Sequence, residues 1–318
     1  MRRGTVLNLV LLALAILAPA VGYPVFLMKV LCFALFACAF NLLIGYTGLL
    51  SFGHAAFLGS AGYAAGHAMK VWGFTPELGL VFGAVVAGLL GFVIGGLAIR
   101  RSGIYFSMVT LALSQMVYFF CLQAPFTGGE DGLQGVPRGK LFGVLPLDND
   151  LTLYYVVLAI FILGFWLIHR TIHSPFGQVL KAIRENEARA LSLGYDVDRY
   201  KLVAFVISAA LSGLAGATKT LVLGFETLTD VHWHMSGEVV LMTLVGGLGT
   251  VWGPVVGAAV IVTLQNELAD KVGAWVTVIT GAIFVVCVLA FRRGIVGELA
   301  ALFKVRKPEP APVVASDS

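Results

Sequence analysis

The stretch SPFGQVLKAIRENEARALSLGYDVDRYK, residues 174–201, is the only long polar segment in a strongly apolar chain. Ser174 is a residue type that caps helix N-termini, and Pro175 suits the first helical position. The apolar residues that follow are mostly three, four or seven apart, so they share one helix face; they are Phe176, Val179, Leu180, Ile183, Ala190 and Leu191. Gly194 is typical of a helix stop. The stretch therefore predicts a short amphipathic helix lying on a membrane surface or just beneath it.

Two interpretations of this helix fit the stretch when it is taken alone. The stretch is either a solvated surface segment that rests on lipid headgroups or a docking helix for a soluble partner. Apolar runs flank it on both sides, near 151–168 and 202–223, under either interpretation. The choice between them depends on the rest of the chain.

The composition is that of a polytopic membrane protein. Of the 318 residues, 59% are hydrophobic and 12% are charged, and the mean hydropathy is +0.93. Soluble domains carry about 25% charged residues. The net charge of +4 is small and gives no reason to expect a nucleic-acid partner. The four cysteines lie in apolar runs, without the spacing of a disulfide framework or a metal site.

Apolar runs divide the chain into about ten membrane spans, since roughly 20 apolar residues cross the hydrocarbon core. The spans are predicted near 5–22, 25–44, 49–69, 78–99, 103–124, 151–168, 202–223, 238–249, 251–268 and 273–291. The first run also resembles a signal peptide with a cleavage site at Ala18-Pro19-Ala20. We favour an uncleaved span, because ten spans place both termini on one side of the membrane.

The basic residues fix the predicted orientation. With ten spans, most of the 21 lysines and arginines lie on the side that holds both termini, and the positive-inside rule makes that side cytoplasmic. The loop 170–201 is then cytoplasmic and the loop 125–150 is external. We expect one transmembrane domain, 1–303, followed by a proline-rich disordered tail, 304–318.

Acidic residues and glycines bear on the kind of transport. No carboxylate is expected at mid-membrane depth, where ion-coupled carriers usually keep an ionisable group; Glu226 and Asp230 are expected at external span ends, and Lys219 near a span end, where it can snorkel. Glycine-rich breaks at 45–48 and 246–254 place turn-formers at membrane depth or its inner edge. Such breaks either line a wet path or simply turn the chain.

The chain lacks the motifs of an energy source or of membrane-embedded catalysis. No phosphate-binding GxxxxGK[ST] motif, zinc-protease motif or nucleophile elbow is present. The sequence therefore predicts no metal, no cofactor and no catalytic residue. A transport pathway without its own energy source needs a partner protein that supplies the energy. This favours the docking interpretation of the helix within 174–201.

Three motifs, in order along the chain, resemble those of branched-chain amino acid ABC permeases. The first is GLLSFGHAAF at 48–57. The second spreads over the cytoplasmic loop, with SPFG at 174–177, AIRE at 182–185, LG at 193–194 and YKLVAF at 200–205. The third is GGLGTVWGP at 246–254, and GGEDGL at 128–133 resembles the M-type (LivM) subunit rather than its H-type partner. The resemblance covers roughly residues 30–295.

The resemblance implies an all-α ABC importer permease fold with about ten transmembrane helices, glycine-rich breaks and a cytoplasmic coupling helix. It also implies partners: a second, H-type permease subunit, two ATPase subunits that hydrolyse the ATP, and a periplasmic solute-binding protein. The chain would then be a non-catalytic subunit in the bacterial inner membrane. Relatives with similar motifs carry branched-chain amino acids, urea, short amides or aromatic acids, so the solute stays open.

We expect three groups of functional residues. The residues that couple to the ATPase are predicted to be Phe176, Gly177, Ala182, Ile183, Arg184, Glu185, Glu187, Ala188, Arg189 and Gly194. The pathway residues are predicted to be Thr47, Ser51, His54, Gly246, Gly247 and Thr250. The residues that seat the binding protein are predicted to be Glu130, Asp131, Arg138 and Lys140.

Two of these expectations carry alternatives. A neutral His54 side chain suits the passage of a zwitterion, because it both donates and accepts hydrogen bonds; the other interpretation has it bonded to a carbonyl of a neighbouring helix. Arg184 and Arg189 are expected to pair with carboxylates of the ATPase in a bidentate manner. The spacing from Glu187 to Gly194 is seven residues, whereas the general importer coupling loop has six, so the register of the docking helix is open.

Functions of two other classes also fit a polytopic membrane protein. The first alternative is an ion-coupled secondary carrier or channel for small polar solutes, and the absence of mid-membrane acids counts against it. The second is a membrane enzyme or assembly factor, which the lack of a nucleophile or a metal cluster disfavours. Uptake measured in vesicles that contain all subunits would separate these alternatives from an importer permease.

Overall fold

The computed structural model of the protein describes residues 14–20, 22–143, 145–272 and 294–303, with positions 275, 278–279, 281–282 and 285. The helices of this part are α1 Pro24–Thr47, α2 His54–Lys70, α3 Pro76–Ala98, α4 Ile104–Gln123, α5 Asp150–His173, α6 Pro175–Glu185, α7 Glu187–Ser192, α8 Val197–Leu223, α9 Trp233–Gly246, α10 Gly253–Val272 and α11 Gly294–Phe303. Short strands form two antiparallel pairs, namely β1 Leu133–Gln134 with β4 Phe225–Glu226, and β2 Lys140–Leu141 with β3 Leu145–Pro146.

Five of the described helices are long and apolar enough to cross a membrane: α1, α3, α4, α5 and α8. They coincide with the spans predicted near 25–44, 78–99, 103–124, 151–168 and 202–223. The spans predicted near 49–69, 238–249 and 251–268 correspond to α2, α9 and α10. Residues 5–13 of the span near 5–22, most of the span near 273–291 and the tail after 303 lie outside the described residues; of the first span, residues 14–17 are helical and Ala18–Ala20 form a 3-10 turn. The helical membrane class is confirmed, and the number ten stays a prediction.

Helix α8 lies at the centre of the bundle and packs along α1, α2 and α3. Small residues make this close approach feasible. A Cβ at Gly216 would collide with the Leu58 carbonyl of α2, and one at Gly213 would collide with the Ala87 side chain of α3. The glycines therefore bring helix backbones together without a ligand or a cavity between them.

The predicted amphipathic helix is in fact two helices, α6 and α7, separated by Asn186. The backbone of Asn186 is extended, with φ −157° and ψ 98°, and its side chain accepts a hydrogen bond from the Arg189 amide at 2.9 Å. Asn186 thus ends one helix and caps the next, because an Asn side chain satisfies a free amide at a helix start. The expectation of one continuous helix is wrong, whereas its start at Ser174 and its stop before Gly194 match the structure.

Candidate functional site

Helix α6 is seated by its first residues. The Ser174 hydroxyl accepts from the Gly177 amide at 3.3 Å, and Pro175 occupies the first turn. Gly177 is buried against the end of α5, where a Cβ would collide with the Ile172 carbonyl. The Phe176 ring stacks on Tyr200 of α8, with centroids 5.6 Å apart. These contacts fix the direction in which α6 leaves the bundle.

Helix α7 is fixed to the start of α8 by apolar contacts and one ion pair. Ile183, Ala190 and Val197 form a small buried cluster beneath the two helices. Lys201 Nζ lies 2.6 Å from Glu187 Oε1, and the Lys201 side chain is only 5% exposed whereas that of Glu187 is 51% exposed. The pair therefore joins the outer surface of α7 to the core of the bundle.

The remaining surface of α6 and α7 is open. Most of the residues predicted to couple to an ATPase are exposed there; they are Ala182, Arg184, Glu185, Glu187, Ala188, Arg189 and Gly194. The other three, Phe176, Gly177 and Ile183, face the bundle and position the helices instead. Gly194 has a φ of +86°, a backbone conformation that glycine adopts without strain.

Two apolar side chains on this surface extend the predicted set. Leu191 is 64% exposed and Leu193 is 69% exposed, beside a groove lined by Glu187, Ala188, Leu191 and residues 196–198. The sequence predicts Leu191 on the apolar face of one continuous helix. The break at Asn186 turns this side chain outward. Leucines exposed next to charged residues are typical of an interaction surface.

The two glycine-rich breaks meet each other in the fold. The first break, residues 45–48, comprises the last residues of α1 and Gly48, whose φ is +77°. The second break, residues 246–254, separates α9 from α10. The Asn41 side chain bonds the second break twice: its Nδ2 donates to the Thr250 carbonyl at 2.9 Å, and its Oδ1 accepts from the Gly249 amide at 3.0 Å. Sequence reasoning missed Asn41, although a lone Asn inside an apolar span was a visible signal.

Arg184 of α6 reaches this junction of the breaks. Its Nη1 donates to the Gly45 carbonyl in the last turn of α1. A Cβ placed on Gly249 would lie 3.2 Å from the same nitrogen, so the guanidinium also fills the space beside the second break. The prediction that Arg184 pairs with an ATPase carboxylate did not foresee this inward contact.

The predicted pathway residues lie in two settings. Gly246, Gly247 and Thr250 belong to the second break, where the Thr250 hydroxyl donates to the Gly247 carbonyl at 2.7 Å and accepts from the Gly253 amide at 3.0 Å. Thr47, Ser51 and His54 are buried in the first break or directly after it. Their role in a pathway stays a prediction.

The His54 side chain is fully buried among the Phe40, Phe57 and Phe205 rings. The Ser208 hydroxyl donates to the Ala39 carbonyl at 2.6 Å and lies 2.9 Å from His54 Nε2. A hydroxyl has one proton to donate, so His54 Nε2 must be the donor to Ser208. In this conformation His54 ties α2 to α8 and, through Ser208, to α1; its partner is a hydroxyl of a neighbouring helix, not the helix carbonyl of the alternative expectation.

The loop 125–150, which the sequence predicts to be external, is anchored to the bundle at both of its ends. The β1–β4 pairing sets Leu133 opposite Glu226, and Arg138 bonds Asp150 at 2.7 Å and the Val222 carbonyl at 3.1 Å. Of the four residues predicted to seat a binding protein, Glu130, Asp131 and Lys140 are exposed. Arg138 is partly buried and braces the loop, so its guanidinium is already engaged.

A buried ionic cluster lies beside this loop. Lys219 Nζ is 2.5 Å from Asp230 Oδ2 and 3.5 Å from Glu226 Oε2, and the Thr220 hydroxyl donates to Glu226 Oε2 at 2.6 Å. All three charged residues are at most 5% exposed. Lys219 does not snorkel to the membrane surface as expected, because two carboxylates from the segment after α8 fold back over it. No local sequence pattern predicted the cluster.

Burial raises the pKa of the Glu226 carboxyl to about 8, with Lys219 opposing the shift and Asp230 adding to it. At neutral pH the protonated form of Glu226 then leaves one carboxylate opposite one ammonium. The cluster is thereby close to electrically neutral, as a group of buried charges requires.

The comparisons with known proteins agree with these features. The family model described as branched-chain amino acid transport system / permease component matches residues 24–288. The LivM permease proteins of the high-affinity branched-chain amino acid transport systems of Salmonella typhimurium and Escherichia coli are each 26% identical to this chain. Each match covers 90% of this chain and 74% of the relative. The ribose import permease protein RbsC of Bacillus subtilis is 29% identical, over 71% of both chains.

Helices α1 to α10 and the three motifs fall within the matched residues 24–288. The sequence resemblance to branched-chain amino acid permeases is confirmed by this match. The chain belongs to the family of permease components of branched-chain amino acid transport systems.

Proposed function

We propose that this protein is the LivM-type permease subunit of an ABC importer for branched-chain amino acids. It forms the membrane pathway together with a related, H-type permease subunit. Two ATPase subunits dock at α6 and α7, and a periplasmic binding protein delivers the solute at the external loop. The chain itself hydrolyses no ATP and lies in the bacterial inner membrane with both termini in the cytoplasm.

The observation that carries this proposal is the open surface of α6 and α7. It combines small residues, Ala182 and Ala188, with exposed charges and the exposed leucines 191 and 193. Small residues allow a partner to approach the two helices closely, and the exposed leucines offer apolar surface for it to bury. The ion pair of Lys201 with Glu187 connects this surface to the bundle core.

Reconstituted uptake tests the proposal. The chain would be co-expressed with its H-type partner, both ATPase subunits and the binding protein, and the purified complex placed in proteoliposomes with ATP inside. We expect leucine, isoleucine and valine to enter in an ATP-dependent manner, and urea, acetamide and phenylalanine to enter more slowly. ATP-independent uptake by the complete complex would contradict the importer mechanism, and preferential uptake of one of the other solutes would contradict only the solute class.

The ion-coupled alternative has one observation of its own, the buried Lys219, Glu226 and Asp230 cluster, because carriers use buried carboxylates to bind coupling ions. Here the ammonium of Lys219 already compensates one carboxylate. Uptake driven by an imposed proton or sodium gradient in the absence of ATP would favour the carrier. Equal uptake with and without the gradient, at fixed ATP, would exclude it.

A further inference from the structure

We propose that Arg184 is the link that transmits movement from the ATPase-facing helices to the two glycine-rich breaks. This inference rests on the proposed function, and it assigns to Arg184 an inward role rather than the pairing with an ATPase carboxylate expected from the sequence. Arg184 is thus a positioning residue. It contacts neither solute nor nucleotide, and acts by tying α6 to α1 and to the segment between α9 and α10.

The first step is the chemistry of the helix end that Arg184 binds. The last turn of a helix presents carbonyls without intrahelical partners, and its partial negative charge attracts a cation. Gly45 lies in the last turn of α1, which ends at Thr47 and turns at Gly48. The Arg184 guanidinium donates to this carbonyl. A charged donor on a free carbonyl at a helix end forms one of the stronger hydrogen bonds available to a protein.

The second step is the position of the same guanidinium beside the second break. Arg184 Nη1 and the Gly45 carbonyl oxygen are each 3.2 Å from the position of a Cβ on Gly249. Only glycine allows the chain to pass this close with a φ of +71°. Arg184 therefore contacts one break by a hydrogen bond and the other by close packing.

The third step is the coupling of the two breaks to each other. Asn41 bonds the Gly249 amide and the Thr250 carbonyl from within α1, one turn before Gly45. A shift of α1 at Gly45 must therefore move the second break as well. Lys181 adds a parallel contact, with its Nζ 5.8 Å from the centroid of the Tyr46 ring.

The fourth step is the place of these residues in the molecule. Gly45, Tyr46, Lys181, Arg184, Glu185 and Gly249 line an open cavity of about 540 Å³. The exposed face of α6 and α7 lies on one side of Arg184, and both breaks lie on the other. A change in the orientation of α6 reaches the breaks through this side chain, because hydrogen-bonded and packed contacts carry coupling between sites.

The test compares Arg184→Gln with Arg170→Gln in the complete complex of both permeases and both ATPase subunits. Arg170 is a matched control: it is an exposed arginine of the same 170–201 loop, it is not among the residues assigned to the ATPase, and its side chain makes no hydrogen bond or ion pair within the described residues. Three quantities are measured, namely the ATPase subunits retained on purification, the rate of ATP hydrolysis with solute-loaded binding protein, and the number of solute molecules imported per ATP.

We expect Arg184→Gln to retain its ATPase subunits and to hydrolyse ATP, while the number of solute molecules imported per ATP falls about tenfold, within the usual range of coupling between sites. Arg184→Lys keeps a charged donor but not the planar group, so it should recover part of that ratio. Arg170→Gln should leave both the ratio and the retained ATPase subunits unchanged. Asn41→Ala removes the two side-chain hydrogen bonds that join α1 to the second break. This variant should lower the ratio without loss of ATPase subunits.

Two results would overturn the inference. Loss of ATPase subunits from Arg184→Gln, with a normal ratio in whatever complex remains, would show that Arg184 faces the partner. A normal ratio and normal assembly would show that the inward contact transmits nothing. Neither result affects the proposed function, which fails only when the unsubstituted complex shows no ATP-dependent uptake.

Discussion

Helix α8 carries a buried lysine near each of its ends, and the two lysines are held in opposite ways. Lys201, near the start of the helix, pairs with Glu187, whose side chain is half exposed. Lys219, near the other end, pairs with Asp230 and Glu226, which are buried with it. A charge that keeps contact with water loses little when its partner is removed, whereas a charge sealed in the interior loses its only compensation.

The difference indicates that the two ends of α8 have different tasks. The Lys219 end fixes the loop 125–150, because Glu226 is also the strand partner of Leu133. At the other end Glu187 stays hydrated, so removal of the Lys201 side chain leaves no charge buried without a partner. The two ends therefore differ in how much the fold depends on each lysine. Four substitutions break or sharpen this comparison.

The largest effect is expected from Lys219→Met. Methionine retains the length of the side chain but leaves the Asp230 and Glu226 carboxyls buried without a cation, and breaking a buried pair costs about 3–5 kcal/mol. We expect a strongly lowered thermal midpoint of the purified complex and a low yield. Lys201→Met is the control of the same chemistry. Equal midpoints for the two variants would contradict the contrast between the ends of α8.

The second effect concerns pH. Glu226 has a pKa of about 8 when folded and an ordinary pKa near 4.5 when unfolded. Between these values the unfolded chain has released a proton that the folded chain keeps. The contribution of Glu226 to stability is therefore greatest below about pH 4.5, falls as the pH rises to about 8, and changes no further above it, with a slope of at most about 1.4 kcal/mol per pH unit.

Glu226→Gln removes this proton and tests the assignment. The titratable groups around the position are Lys219, Asp230, Tyr63 and Cys121. We expect the thermal midpoint of the variant to change less between pH 5 and 8 than that of the unsubstituted complex, and to be the higher of the two at pH 8.5. Parallel pH profiles would show that Glu226 is ionised throughout.

A smaller effect is expected from Lys201→Met. The Glu187 carboxylate stays hydrated, and the methionine side chain replaces the apolar stem of the lysine, so the cost should be about 1 kcal/mol or less. The thermal midpoint should move by a few degrees at most. A loss as large as that of Lys219→Met would mean that the fold depends equally on the lysine at each end of α8.

The smallest effect is expected from Arg138→Gln in the loop 125–150. Arg138 and Asp150 are 27% and 41% exposed, and pairs of that exposure contribute about 0–1 kcal/mol. We expect an unchanged thermal midpoint, whereas charge reversal at Glu130, Asp131 and Lys140 together should slow uptake at low concentrations of binding protein. Unaltered uptake in that triple variant would make the loop a connector only.

The sequence by itself determined the membrane class, the positions of the apolar helices, the polar loop between α5 and α8, and the family. These features are local or nearly so: hydropathy, helix periodicity, caps and short motifs are each read within about 20 residues. The break between α6 and α7 was also within reach, since Asn is a preferred N-cap residue and Glu187 places an acidic side chain in the following first turn. The apolar stripe on both sides of Asn186 obscured it.

Only the tertiary structure decided which polar groups meet. Arg184 and Gly45 are 139 residues apart, and Asn41 and Gly249 are 208 apart. Lys219 is close to Glu226 in sequence, yet their pairing depends on the fold of the segment after α8 onto α2 and on the strand that covers it. In a chain with few charges, each buried polar group must find a partner. The packing of the helices alone determines which partner is within reach.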